Sequence, residues 1–294
     1  MKRLLLAIAL VSVAGAAHAA SDMLVSPDWL KTHLGDKNLI LFHVGAPKDF
    51  ETEHIPGAQL VSPSDLSIPR VEGALILQLL PPEALREKLQ SLGVGDESRV
   101  IIYFGSDWIS PSTRVYFSLD AAGLGDHTSI LDGGMPAWKA AGGGVTSEIG
   151  AAQTAGKITA TPRTDLVASL ETVKAGLSDS GLKIVDARNT EFYDGTNPGA
   201  MPRAGHIPGA SSVPFSSLAT DDLKMKSEAD IASIFQTAGV KPGTPLISYC
   251  HIGQQATMVY FAAKRLGLKA SVYDGSWDEW SRKADLPVEK SPVR

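Results

Sequence analysis

The chain has 294 residues, enough for about two domains, and a formal net charge of −5, with 27 Lys and Arg against 32 Asp and Glu. No long basic run appears and the two signs are interspersed, so nucleic-acid binding has no electrostatic support. A single cysteine cannot form an internal disulfide, and the seven histidines show no metal-ligand spacing.

In chain order, Lys2 and Arg3 precede an apolar run, Leu4 to Val13, that is too short to anchor stably across a bilayer. Ala17-His18-Ala19 then supplies a small-x-small cleavage site, so residues 1–19 read as a cleaved secretory signal and the mature chain is expected in the periplasm or outside the cell. No later stretch approaches spanning length, and no membrane attachment is expected after cleavage. Ser26 with Pro27 caps a helix through Leu34, and Asn38 to His43 is a strand. A helix over Pro82 to Leu92 follows, then a central strand over Arg99 to Phe104. Helices over Ser112 to Ala122 and Pro136 to Ala141 complete the first unit, residues 20–145. Residues 146–163 are rich in Ala, Gly and Thr without periodicity and read as a linker. The second unit, residues 164–294, has helices over Leu170 to Leu177 and Ala229 to Ala238 and strands over Lys183 to Asp186, Pro245 to Tyr249 and Ala270 to Tyr273. Short apolar strands alternating with helices imply an α/β fold, a mostly parallel sheet with helices on both faces.

The sequence also repeats itself. His54-Ile55-Pro56-Gly57-Ala58 recurs at His206 to Ala210, and Ile130-Leu131-Asp132-Gly133-Gly134 is echoed by Val272-Tyr273-Asp274-Gly275-Ser276. Val100 to Phe104 parallels Leu246 to Cys250, and in both halves a helix containing Val-Tyr-Phe follows. Four matches in one order indicate a tandem duplication.

The lone cysteine lies at the most informative junction. Pro245 to Tyr249 ends at Cys250, and Met258, Phe261, Ala262 and Leu266 then fall at helical spacing before Gly267. Cys250 therefore sits in a tight loop between the carboxyl end of a strand and a helix N-terminus, where free N–H groups favour an anion and lower a thiol pKa. Asp186, at the end of Lys183-Ile184-Val185, reaches the same edge of the sheet.

These features resemble the rhodanese family of sulfurtransferases in its two-domain form, over essentially the whole mature chain. Phe50-x-x-x-His54-Ile55-Pro56-Gly57-Ala58-x-x-Val61 fits the family's N-terminal signature, and Ala270-x-x-Tyr273-Asp274-Gly275-Ser276-Trp277-x-Glu279-Trp280 its C-terminal one. The resemblance implies tandem rhodanese-like domains, with Cys250 as a persulfide carrier and the loop His251, Ile252, Gly253, Gln254 and Gln255 wrapping the bound sulfur. It implies a small donor such as thiosulfate or 3-mercaptopyruvate, a thiophilic acceptor such as cyanide, a thiol or a thiol protein, and no metal or organic cofactor. Phe104 stands where the first domain would carry a cysteine, in agreement with a silent first half.

The chain departs from the family around the substrate. Thiosulfate-type members place two cations after the cysteine and mercaptopyruvate-type members Gly and Ser, whereas this chain has His251 and Ile252. The family's substrate arginine, six residues after the strand aspartate, is Phe192 here, which leaves Arg188 and Arg203 as candidates. The mercaptopyruvate-type aspartate of the first domain is matched by His43. His251 is expected to add a pH-dependent positive charge, while His54, His206, Trp277 and Trp280 are expected to be structural. A phosphatase would need an arginine at the end of a Cys-x5-Arg loop, but position 256 is Ala. A sulfur-binding module without turnover is the other reading. No feature demands an oligomer, and a monomer is expected.

Overall fold

The computed structural model describes residues 23–105, 109–151 and 153–291. The segment read as a signal peptide lies outside the described residues. The first unit runs β1 (Leu24–Val25), α1 (Pro27–His33), β2 (Leu39–Val44), α2 (Pro47–Thr52), β3 (Ala58–Leu60), α3 (Pro82–Ser91), β4 (Arg99–Phe104), α4 (Ser110–Ala121), β5 (Thr128–Leu131) and α5 (Gly134–Ala140). The second repeats it as β6 (Val167–Ala168), α6 (Leu170–Gly176), β7 (Lys183–Asp186), α7 (Thr190–Tyr193), β8 (Ser211–Ser212), α8 (Glu228–Thr237), β9 (Leu246–Tyr249), α9 (Ala256–Arg265), β10 (Ala270–Tyr273) and α10 (Ser276–Arg282). Local chemistry sets several boundaries. The Ser26, Ser169 and Ser227 side chains each accept an N–H of the first turn of α1, α6 and α8.

Each unit is a five-stranded sheet, in the orders β1-β5-β4-β2-β3 and β6-β10-β9-β7-β8, and every strand pair is parallel. Parallel strands buried on both faces read as continuous apolar runs, as β2 and β4 do. The period of two still sorts their side chains. Ile40, Phe42, Val44, Val100, Ile102 and Phe104 face a core that continues into the second unit. Leu41, Ile101 and Tyr103 face a separate outer core with Trp138, and Ile184, Ile247 and Tyr249 face the matching outer core with Trp277 and Trp280.

Matching hydrogen bonds identify equivalent strand ends in the two units. Val61 N–H donates to the His43 carbonyl and Val213 N–H to the Asp186 carbonyl, both at 2.9 Å, so His43 and Asp186 are equivalent. Tyr103 and Tyr249 each accept through the hydroxyl, at 3.0 Å, from Ile55 N–H and Ile207 N–H of the repeated His-Ile-Pro-Gly turn. Within those turns His54 bonds the Phe50 and Glu148 carbonyls and His206 the Tyr193 carbonyl, and both rings are buried.

The units meet where α4 runs beside α9. Tyr116 packs edge-on against Phe261 at 4.8 Å between ring centroids, and Phe117 against Tyr260 at 5.1 Å. Thr113 and Thr257 share a hydrogen bond at 2.9 Å, and Asp120 accepts from both Tyr260 and Lys264. Buried aromatic pairs of this kind add about 0.5–1.5 kcal/mol each beyond burial itself. The seam is thus a continuous core. The segment after α5 has no helix or strand of its own over 153–163, but it does not hang free. Gly156 N–H donates to Gln90, Thr159 to the Asp96 carboxylate and Arg163 N–H to the Ala121 carbonyl, and Ile158 is buried. No helix among the described residues is long and apolar enough to cross a membrane.

Candidate active site

β9 delivers Cys250 to the carboxyl edge of the second sheet, one residue beyond Tyr249, with its side chain fully buried on the side facing the seam. The loop from His251 to Gln255 then curls around the sulfur. Backbone N–H groups of Ile252, Gly253, Gln255 and Ala256 surround Sγ, and each acts to lower its pKa. This concave set of N–H groups is an anion nest capped by the first turn of α9. Gly253 has φ of +83°, and a Cβ there would sit 2.9 Å from the Asp274 carbonyl oxygen, so the turn has room only for glycine.

A second loop, between β10 and α10, closes on the first. Ser276 Oγ accepts the Cys250 N–H at 3.2 Å and donates to the Tyr273 carbonyl at 2.8 Å. Ser276 is a non-glycine residue with φ of +51°, a conformation that costs about 1–2 kcal/mol and that its two hydrogen bonds offset. Trp277 N–H donates to the Cys250 carbonyl and Asp278 N–H to the His251 carbonyl, both at 2.9 Å. Ser276 belongs to the C-terminal signature, but spacing alone gives it no task; its hydroxyl matters because the chain folds back on Cys250.

Electrostatics differ from the sequence expectation at two residues. Burial raises the Cys250 thiol above its ordinary pKa, and the four N–H donors pull against that rise without reversing it. The expected lowering assumed a solvated loop, whereas this thiol has no exposed surface. His251 is pushed down to about 4 by burial and then by the Arg188 guanidinium, so it is neutral at pH 7 and supplies no positive charge. Its ring packs edge-on against Phe192, centroids 4.6 Å apart, at the position where the family carries its substrate arginine.

Neither candidate arginine is free. Arg188 is buried and clamped on Asp186, Nη2 to Oδ2 at 2.6 Å and Nε to Oδ1 at 3.0 Å, with a further bond to the Gly205 carbonyl and its guanidinium 4.6 Å over the Trp277 ring. Asp186 is wholly buried and also accepts Arg188 N–H. This pair therefore fixes the strand end behind the cysteine loop. Arg203 donates to the carbonyls of Trp280, Ser281, Lys283 and Leu286, capping the carboxyl end of α10. Trp277 and Trp280 are fully buried, their indole N–H groups bound to the Arg203 and Pro287 carbonyls. Ile252 and Gln254 are half-buried on the loop, and Gln255 flanks the first turn of α9.

The first unit contributes a residue the sequence did not single out. Arg114 of α4 has no exposed side chain and forms an ion pair with Asp274 at 2.7 Å. It also donates to the Gly253 carbonyl at 3.3 Å and to the Leu77 carbonyl. Asp274 in turn accepts Leu79 N–H at 2.7 Å. The first unit thus grips both loops that enclose Cys250. The sole signal in the sequence is an arginine on an otherwise buried helix, which resembles many surface arginines until the partner is known. Among the described residues no cluster of His, Cys, Asp and Glu could hold a metal ion.

The rhodanese-like domain model matches residues 26–141 and again 169–283. The chain belongs to the rhodanese family. Its relatives include the thiosulfate sulfurtransferase of Pseudomonas aeruginosa, 31% identical over 91% of this chain and 97% of that one. The thiosulfate/3-mercaptopyruvate sulfurtransferase 2 of Arabidopsis thaliana is 27% identical over 92% of this chain and 87% of that one. Among solved structures, wild-type EanB superposes with a TM-score of 0.83 at 22% identity, covering 92% of this chain and 70% of its own. That likeness shows the shared fold. Both rhodanese-like domains are parallel-sheet α/β units, and the family and relatives together make the protein a sulfurtransferase.

Proposed function

We propose that this sulfurtransferase carries the transferred sulfur on Cys250 as a persulfide. The observation that supports this reading is the convergence of four backbone N–H groups on one buried Sγ, while Arg188, Arg203 and Arg114 are each engaged elsewhere. In the first half-reaction the Cys250 thiolate attacks the terminal sulfur of the donor. A new S–S bond forms as the donor's bond to that sulfur breaks, releasing sulfite from thiosulfate or the pyruvate enolate, which takes up a proton, from 3-mercaptopyruvate. In the second, cyanide or a thiolate attacks the outer sulfur, and Cys250 leaves as thiolate into the nest, a ping-pong course. The loop from His251 to Gln255 holds that leaving anion through its backbone; Asp186 and Arg188 fix the strand end behind it, and no cofactor takes part.

Residues 1–19 act as a cleaved signal, placing a monomeric mature enzyme in the periplasm or outside the cell. There it has a silent domain at 20–145, a strap at 146–163 and the catalytic domain at 164–294. Because Arg188, Arg203 and Arg114 are all engaged, a partner protein that brings its own persulfide or thiol is the second reading, with the chain acting as a sulfur carrier. Intact mass of the mature protein after thiosulfate or 3-mercaptopyruvate, then cyanide, separates the two. A cyanide-labile gain of one sulfur from a small donor supports the enzyme reading. Loading only from a protein persulfide supports the carrier, and no loading of Cys250 from any donor overturns both.

A further inference from the structure

The carboxyl end of the first sheet holds a cleft of about 430 Å³ lined by His43, Asp49, Glu53, Gly105, Met135 and Lys139, among others. Its origin is visible in the duplication. His43, Val44 and Gly45 are the equivalents of Asp186, Ala187 and Arg188, and Met135 is the equivalent of Trp277. In the second unit the Arg188 guanidinium and the Trp277 ring are stacked at 4.6 Å at this point. In the first unit both large side chains are replaced by smaller ones, and the cleft opens.

His43 floors that cleft in an unusual state. It is 1% exposed, and neither ring nitrogen has a hydrogen-bond partner among the described residues. Its ring is held edge-on by Phe50 and Tyr103, at 5.3 and 4.9 Å. A Cβ built on Gly45 would lie 2.7 Å from Nε2, so Nε2 points along the path a side chain at 45 would take. A buried polar atom left without a partner destabilises the fold. Burial holds the imidazole neutral, its pKa lowered to about 4, so it offers a lone pair to a donor. The rim is acidic. Asp49 has no ion-pair partner among the described residues, and Glu53 is matched by Lys139 at 2.6 Å, which leaves one net negative charge.

We propose that this cleft binds a small organic cation of the guanidine or amine class, whose N–H group donates to His43 in the space that the Arg188 guanidinium fills in the second unit. The site belongs to the silent domain and does not rest on the chemistry at Cys250.

Agmatine is the probe, with thiosulfate as the anionic control, on the full mature chain. Calorimetry and the His43 ring signals in NMR are the readouts. Saturable agmatine binding with a Kd of about 1 mM or tighter, together with a shift of the His43 signals, is expected. Gly45→Ala should weaken it at least tenfold, because the new Cβ meets Nε2. The double variant His43→Asp, Gly45→Arg, which rebuilds the second unit's ion pair in place of the ligand, should abolish it. Asp49→Asn, on the exposed rim, keeps the test open if those variants fold poorly, and it should weaken binding severalfold. The proposal is overturned if agmatine does not bind, if it binds the Gly45→Ala and Asp49→Asn variants as tightly as the parent, or if thiosulfate is the ligand that moves the His43 signals.

Discussion

The two halves of this chain present the same strand end twice and use it in opposite ways. After β9 stands Cys250, its N–H held by Ser276 and its sulfur enclosed by backbone donors. At the end of β4 stands Phe104, and at the position of Ser276 stands Gly134, where any Cβ would lie 2.6 Å from the Phe104 ring. Each choice entails the other. An aromatic ring in the place of the thiol leaves no room for a hydroxyl, and a hydroxyl has no task where no cysteine N–H needs a partner. The Phe104 ring is therefore part of the shared core, where the second half places its thiol.

That contrast can be broken most severely at the sulfur. Cys250→Ser should abolish sulfur transfer, by at least about a thousandfold. Adding Phe104→Cys to it should restore none, because Gly134 offers no hydroxyl; cyanide-labile sulfur followed by intact mass checks both. Next in size is the grip of the first unit on the second. Arg114→Met installs the residue that the second unit carries at the equivalent Met258 and strands Asp274, so stability should fall by about 3–5 kcal/mol. Adding Asp274→Asn should recover part of that loss, and denaturant midpoints measure both. Ser276→Ala leaves the buried Cys250 N–H without its acceptor and should cost about 1–3 kcal/mol. Ser276→Gly should cost less, since it also relieves the φ of +51°.

The smallest effect concerns protons. His43 and His251 both fall from 6.5 to about 4 through burial, so each is neutral in the fold while the unfolded chain takes up protons below about pH 6.5. The unfolded state then binds more protons than the native one, and stability drops as the pH falls from 6.5 toward 4. His251→Gln should flatten that slope, and the rate at which Cys250 is alkylated should show no inflection near pH 6.5 that this substitution removes. Chemical denaturation across that range reads the first, and the alkylation profile the second.

Much of this was legible in residue order. Strands β4, β7 and β10 begin and end where their short apolar runs do, because each run is apolar enough to carry its own signal. The edge strands β1, β6 and β8 span two residues each, too short for any period, and exist only because a neighbour pairs with them. At the site, the placement of Cys250 between strand and helix was readable from the sequence. What stayed hidden were properties set by distant partners. Arg188 and Arg203 look like available cations until Asp186 and the end of α10 take up their donors. His251 looks like a switch until burial and Arg188 hold it neutral. Arg114 looks like an ordinary helix residue until Asp274 arrives from the other half. Sequence spacing reports neighbours along the chain, and these roles belong to neighbours in space.

Along the seam of α4 and α9, Thr113 meets Thr257 and Asp120 meets Lys264, and each pair joins equivalent positions of the two repeats. In an assembly of two identical chains a residue on the two-fold axis must face its own copy. Threonine tolerates that, since a hydroxyl both donates and accepts. Asp120 would instead face a second carboxylate, and Lys264 a second ammonium, in a buried place where like charges repel. Two different sequences are needed to put opposite charges at one symmetric point. The Asp120–Lys264 contact is therefore a heterodimer's bond inside a single polypeptide, open to the two halves because their sequences differ at that point.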